Sequence, residues 1–160
     1  MERLKKLEEV CKPDERNRDR GDLDHSTGIV SPTTIESIYA VVESIKLNDQ
    51  VPDEIRSHFE IARNLALYSW FVYSFNVVAA MQAFASLEMA VRDKTPNKEM
   101  SFYQRLNKVF KNRQLAGGLS LAEGVSKLRN DLAHGSETIH GQGLEYLNMC
   151  SELINELYPN

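Results

Sequence analysis

The sequence predicts an all-α fold, an antiparallel bundle of about five helices, and three observations lead there. Apolar residues recur at three- and four-residue spacing through several long stretches, as the buried face of a helix requires. No segment shows the period-two alternation of a half-buried strand. The 8 Gly and 5 Pro fall mostly outside the apolar stretches and are too few for the turns of an all-β sandwich. A length of 160 residues suits one domain. Composition divides it into a charged extension over residues 1–30, expected to be flexible, and a helical domain over residues 31–160.

Taken in order, residues 2–10 fit a short charged helix. Lys12 to Asp24 is almost all charge of mixed sign, interrupted by Pro13 and Gly21, and cannot bury enough apolar surface to order itself. Ser31 and Pro32 look like the N-cap and first residue of a helix. Ile35, Ile38, Val42 and Ile45 form one face of it, and Asn48 and Asp49 end it. Pro52 opens the next helix, with Asp53 and Glu54 suited to its N-terminal dipole. That helix can run to about Lys94, because no Pro or Gly interrupts it; a break near Tyr68 is allowed but not demanded.

From Asn64 through Leu87 no residue is charged. A stretch of that length could cross a bilayer. Its Asn64, Asn76 and Gln82 are unwelcome in mid-membrane, and a core helix wrapped by others has the same all-round apolar pattern. Residues 70–84 are therefore expected inside the protein, with no membrane involved. Thr95–Asn97 is a loop, and a shorter helix follows from about Ser101 to Lys111. Gly117 and Gly118 break the chain again. The next helix runs from Leu119 to about His134, with Leu121, Val125, Leu128 and Leu132 as its apolar stripe and Gly135 as its C-terminal cap. Residues 135–143 form a loop, and a last helix covers Leu144 to Leu157.

Lys and Arg number 19 against 23 Asp and Glu, a formal net charge of −4 that does not advertise nucleic-acid binding. The bias is local instead. Over residues 94–113, Lys94, Lys98, Arg105, Lys108, Lys111 and Arg113 stand against Glu99 alone. Such a face is either ordinarily solvated or a surface for an anionic partner. Cys11 and Cys150 have no second Cys or His at metal-ligand spacing, so no metal site and no cofactor is expected. Two free thiols and a charged beginning fit a reducing cytoplasm, the alternative being one disulfide that joins Cys11 and Cys150.

The chemistry concentrates in Lys127-Leu-Arg-Asn-Asp-Leu-Ala-His-Gly135. On a helical wheel the Leu stripe lies on one side; Glu123, Lys127, Asn130 and His134 lie opposite, with Arg129 at the flank. Asn130 and His134 are four apart and can meet. Arg129 and His134 are five apart, and only the length of Arg and the frayed helix end bring them together. A basic residue near a helix C-terminus followed by Gly also occurs for capping alone.

Arg129-Asn130-Asp131-Leu132-Ala133-His134 resembles the signature of HEPN domains: an Arg, a polar residue beside it, and a His after four intervening positions. Leu87-Glu88-Met89-Ala90-Val91-Arg92, on the long preceding helix, is similar to a segment common in related bacterial sequences. The resemblance covers roughly residues 31–158. Some toxin members carry a Tyr two residues after the His, where this chain has Ser136. The resemblance implies an all-α, metal-independent endoribonuclease that cleaves single-stranded RNA by 2′-hydroxyl attack, in a toxin–antitoxin or phage-defence setting. Its catalytic residues would be Arg129, His134 and Asn130, with Glu88 and Asp131 as neighbours and Lys98, Arg105, Lys108, Lys111 and Arg113 guiding RNA. It further implies a homodimer in which two motif helices share one cleft, and an antitoxin or other protein partner. The alternatives are a non-catalytic HEPN module binding RNA, a nucleotide or a protein, and a plain helical interaction protein whose Arg–His pair is a cap. Glu88 and Arg92 fit an ordinary ion pair equally well, and His25, His58 and His140 have no partner spacing.

Overall fold

A computed structural model describes residues 3–18, 21–23, 28–111, 113–115, 117–135 and 142–160. His25, Ser136, His140 and most of the 135–143 loop lie outside the described residues. The fold is mostly helical, 62% of it helix, which meets the all-α expectation. A 3₁₀ turn at Leu7–Glu9 is followed by α1 (Glu15–Arg18), β1 (Gly21–Leu23), β2 (Val30–Pro32), α2 (Ile35–Ser44), α3 (Asp53–Tyr68), α4 (Phe75–Lys94), α5 (Phe102–Val109), α6 (Leu121–Ala133) and α7 (Gly143–Leu157).

Three expectations need correction. First, β structure is present: β1 pairs antiparallel with β2 through Gly21–Pro32, Asp22–Ser31 and Leu23–Val30. Three-residue strands are too short to carry a legible alternation. Second, Pro32 closes that hairpin instead of opening a helix. α2 is capped by Thr34, whose hydroxyl accepts from Ser37 N while Ser37 Oγ accepts from Thr34 N. The same helix stops at Ser44, with Ile45 already extended but still buried in the core. Third, the long central helix is two helices, broken at Ser69–Ser74.

That break is held from far away. Asn17 Nδ2 donates to the carbonyls of Ser69 (2.7 Å) and Trp70 (3.1 Å), which α3 leaves unpaired at its end. Asp14 N donates to Trp70 O at 2.9 Å, and Asp14 Oδ2 accepts from Tyr73 N at 3.2 Å. Arg16 reaches over the Tyr73 ring. Residues 14–17 of the charged extension are therefore docked onto the bend, and Asn17 is buried.

α4 is the central element, packed between α3 and α7, with α5 and α6 also against it. Its buried positions include Ala79, Ala80, Ala83 and Ala90, small residues that let neighbouring helices approach. At the α7 crossing Gly143 lies so close that a Cβ would stand 2.6 Å from Asn76 O. Phe59, Phe84, Leu87, Leu106, Leu147 and Ile154 fill the centre. Within residues 70–84 the burial expectation holds only in part. Asn76, Ala79, Ala80, Ala83 and Phe84 are buried, residues 70–75 are half-buried, and Val78 and Met81 are each 44% exposed. Among the described residues no helix is long and apolar enough to cross a membrane.

Candidate functional site

α6 carries the candidate site, and both of its ends are locally encoded. Ser120 caps the N-terminus: its hydroxyl accepts from Glu123 N, and Glu123 Oε2 accepts from Ser120 N and Oγ. The Ser120 hydroxyl, chiefly, holds the Glu123 carboxyl below its ordinary range. Gly124 makes room for the Leu115 side chain, which a Cβ would meet. Leu121, Val125 and Leu132 are buried, and Leu128 packs against the core half-buried. At the other end His134 N bonds to Asn130 O at 2.9 Å. Gly135 follows at φ +74°, a conformation natural to glycine, and its N–H reaches Leu132 O.

Arg129, Asn130 and His134 are all exposed, as the wheel predicts. Arg129 Nη1 donates to Asn130 Oδ1 at 3.2 Å, and Arg129 Nη2 donates to Glu88 Oε2 of α4 at 3.4 Å. Glu88 Oε1 also accepts from Arg92 Nη2 at 2.8 Å. The structure thus brings Arg129, Asn130, Glu88 and Arg92 together. Asn130 turns to Arg129 instead of His134, and among the described residues no side chain hydrogen-bonds the His134 imidazole. Asp131 pairs with Lys127 at 2.8 Å. It also faces Tyr146, whose hydroxyl is pushed up mainly by burial and then by the charges of Glu145 and Asp131.

The basic face divides. Lys98, Lys108 and Lys111 are exposed. Arg113 is exposed but paired with Glu156. Arg105 does not belong to the face at all. It is 4% exposed, and its guanidinium donates to Met100 O (3.0 Å), Asn97 O (2.5 Å), Thr95 Oγ1 (2.9 Å) and Thr95 O. It clasps the loop after α4, where carbonyls and the helix dipole are both negative.

One cluster has no signal in the sequence. His58 Nδ1 on α3 lies 2.8 Å from Ser86 Oγ on α4, with Gln82 Nε2 3.1–3.2 Å from both ring nitrogens. Its partners are more than twenty residues away in the chain. Ser86 is fully buried, which makes the group a packing contact between two helices and denies its hydroxyl to a substrate. A cleft of about 540 Å³ beside α3 is lined by Lys46, Arg56 and Arg63 among others. Arg56 is engaged by Asp49 and Asp53, and Arg63 by Glu60. Among the described residues no three His, Cys, Asp or Glu side chains are grouped to hold a metal ion. Compared with family models, curated proteins and solved structures, the chain has no match in any of the three.

Proposed function

We propose that the chain is a metal-independent endoribonuclease of the HEPN type, cutting single-stranded RNA, with a toxin–antitoxin or phage-defence role. The observation that carries this is the exposure of Arg129, Asn130 and His134 together on the last turns of α6, while the Leu stripe of the same helix enters the core. The order of α3 to α7 supports an HEPN-like bundle.

In this chemistry the 2′-hydroxyl attacks the adjacent phosphorus, one group accepts its proton, and another protonates the departing 5′-oxygen. His134 is the acid–base group suited to near-neutral pH. Arg129 offers a planar, two-pronged contact to the phosphate and stabilises the added negative charge of the transition state. Asn130 steadies Arg129. The products are a 2′,3′-cyclic phosphate and a 5′-hydroxyl. One motif supplies one imidazole, so a homodimer that brings two His134 side chains to a shared cleft completes the acid–base pair. Lys98, Lys108 and Lys111 are the cations open to guide the strand.

A non-catalytic HEPN module that binds RNA, a nucleotide or a protein partner is the second reading. The Glu88 contact favours its protein-binding form, since a carboxylate on Arg129 competes with the phosphates of RNA or a nucleotide. The test is wild type, His134→Ala and Arg129→Ala on labelled RNA, with circular dichroism as the folding control. His134→Ala should lose about 10²-fold or more in rate. Arg129→Ala should lose on the order of 10²–10³-fold. Folded variants that cut as well as wild type, or a wild type that cuts nothing, would leave binding as the function. Variants that unfold would make the pair a helix cap.

A further inference from the structure

We propose that Arg92 is a second phosphate-gripping residue of this surface, so that one RNA strand is held at two successive phosphates, by Arg129 and by Arg92. The position of the scissile phosphate at Arg129 rests on the ribonuclease reading above. Glu88 accepts from two guanidiniums at once, Arg92 at Oε1 (2.8 Å) and Arg129 at Oε2 (3.4 Å). Two cations share one anion, and the trio keeps a net positive charge. The neighbouring acids are engaged elsewhere: Asp131 with Lys127, and Asp93 with the Tyr158 hydroxyl, each at 2.8 Å.

Exposure orders the three side chains. Glu88 is 26% exposed, Arg129 44% and Arg92 62%. The carboxylate lies beneath and the guanidiniums lie outward, so an anion arriving from water meets the cations first. Among the described residues the Arg92 guanidinium makes no hydrogen bond other than that to Glu88, and its remaining N–H edge is open to phosphate. A role in bracing α4 would need only the i,i+4 pair with Glu88. It leaves unexplained why a guanidinium from α6 occupies the other oxygen. Because both guanidiniums meet one carboxylate, one at each oxygen, they are near neighbours on the same surface and can contact phosphates of the same strand. The preferred substrate therefore extends at least one phosphate beyond the scissile one.

The test compares Arg92→Ala with wild type on a dinucleoside monophosphate, which has the scissile phosphate alone, and on a trinucleotide, which has two. The loss in kcat/KM should be about tenfold greater on the trinucleotide, the scale of one charge-assisted contact, and should appear in KM. The slope of binding against salt should fall by about 0.7. Equal losses on the two substrates overturn the proposal, return Arg92 to bracing Glu88, and leave the ribonuclease reading intact. An all-deoxy strand, which lacks the attacking hydroxyl, separates binding from catalysis. Weaker binding with a smaller salt slope in Arg92→Ala supports the cradle even if wild type cuts no RNA, and unchanged binding of that strand overturns it.

Discussion

Replacing Arg105 by Met removes the one buried guanidinium among the described residues and strips four acceptors of their partner: the carbonyls of Thr95, Asn97 and Met100 and the Thr95 hydroxyl. Each orphaned buried acceptor costs about 1–3 kcal/mol. Water will reach the loop side, and Met recovers apolar contact, so the net loss should be about 3–5 kcal/mol. For a chain of this size that lowers Tm by roughly 6–20 °C. Arg105→Lys keeps the charge but replaces a fixed fork with a single ammonium that cannot span the three carbonyls, and it should recover only part of the loss. High salt should not restore either variant, since the group is screened from solvent. Thermal unfolding followed by circular dichroism, with RNA binding measured on the same samples well below Tm, decides the role. A stable Arg105→Met protein with weakened RNA binding and a reduced salt slope would refute the clasp and restore Arg105 to the basic face.

Two further predictions concern packing and pH. Gly143→Ala puts a methyl 2.6 Å from Asn76 O and 2.9 Å from Asn76 Cα. The overpacking exceeds the gain in helix propensity and should cost about 1–2 kcal/mol in chemical denaturation; unchanged stability would mean that α4 and α7 separate freely. Asp14 is held well below the ordinary carboxylate range, chiefly by the Arg16 side chain, against partial burial and with help from the Tyr73 and Arg16 amides. A carboxyl lowered on folding contributes stability that is fully present above its unfolded value and is lost as pH falls through the folded one. Fluorescence of Trp70, the one tryptophan, should therefore stay constant down to about pH 4 and change only in stronger acid, with the difference from Asp14→Asn narrowing there. A transition centred near pH 4 to 5 would contradict the docked carboxylate.

What the sequence made legible was what short-range physics encodes. The stripe Leu121, Val125, Leu132, the cap at Gly135 and the exposure of Arg129, Asn130 and His134 all follow from helical periodicity and the preference of glycine for positive φ. The break at Ser69–Ser74 was allowed by the sequence but not demanded, because the groups that satisfy it, Asp14 and Asn17, lie more than fifty residues away. Val78 and Met81 defeated the all-round apolar argument for a related reason. α4 has close neighbours on most of its surface but not all, and apolar composition alone does not say which face is left open. Arg105 looks like its basic neighbours in sequence, and only the fold of the preceding loop, between α4 and α5, turns it inward. The Glu88 contact to Arg129 joins residues 41 positions apart, and periodicity cannot register it.

The ribonuclease reading meets its most direct test in the ends of the RNA fragments. Purified protein is incubated with end-labelled single-stranded RNA in excess chelator, and the termini are mapped for wild type and for folded His134→Ala. A general acid–base mechanism using His134 and Arg129 predicts 2′,3′-cyclic phosphate and 5′-hydroxyl ends from wild type, undiminished by the chelator and lost in the variant. Cleavage that stops in chelator, or 5′-phosphate ends, or the same fragments from His134→Ala, would contradict it.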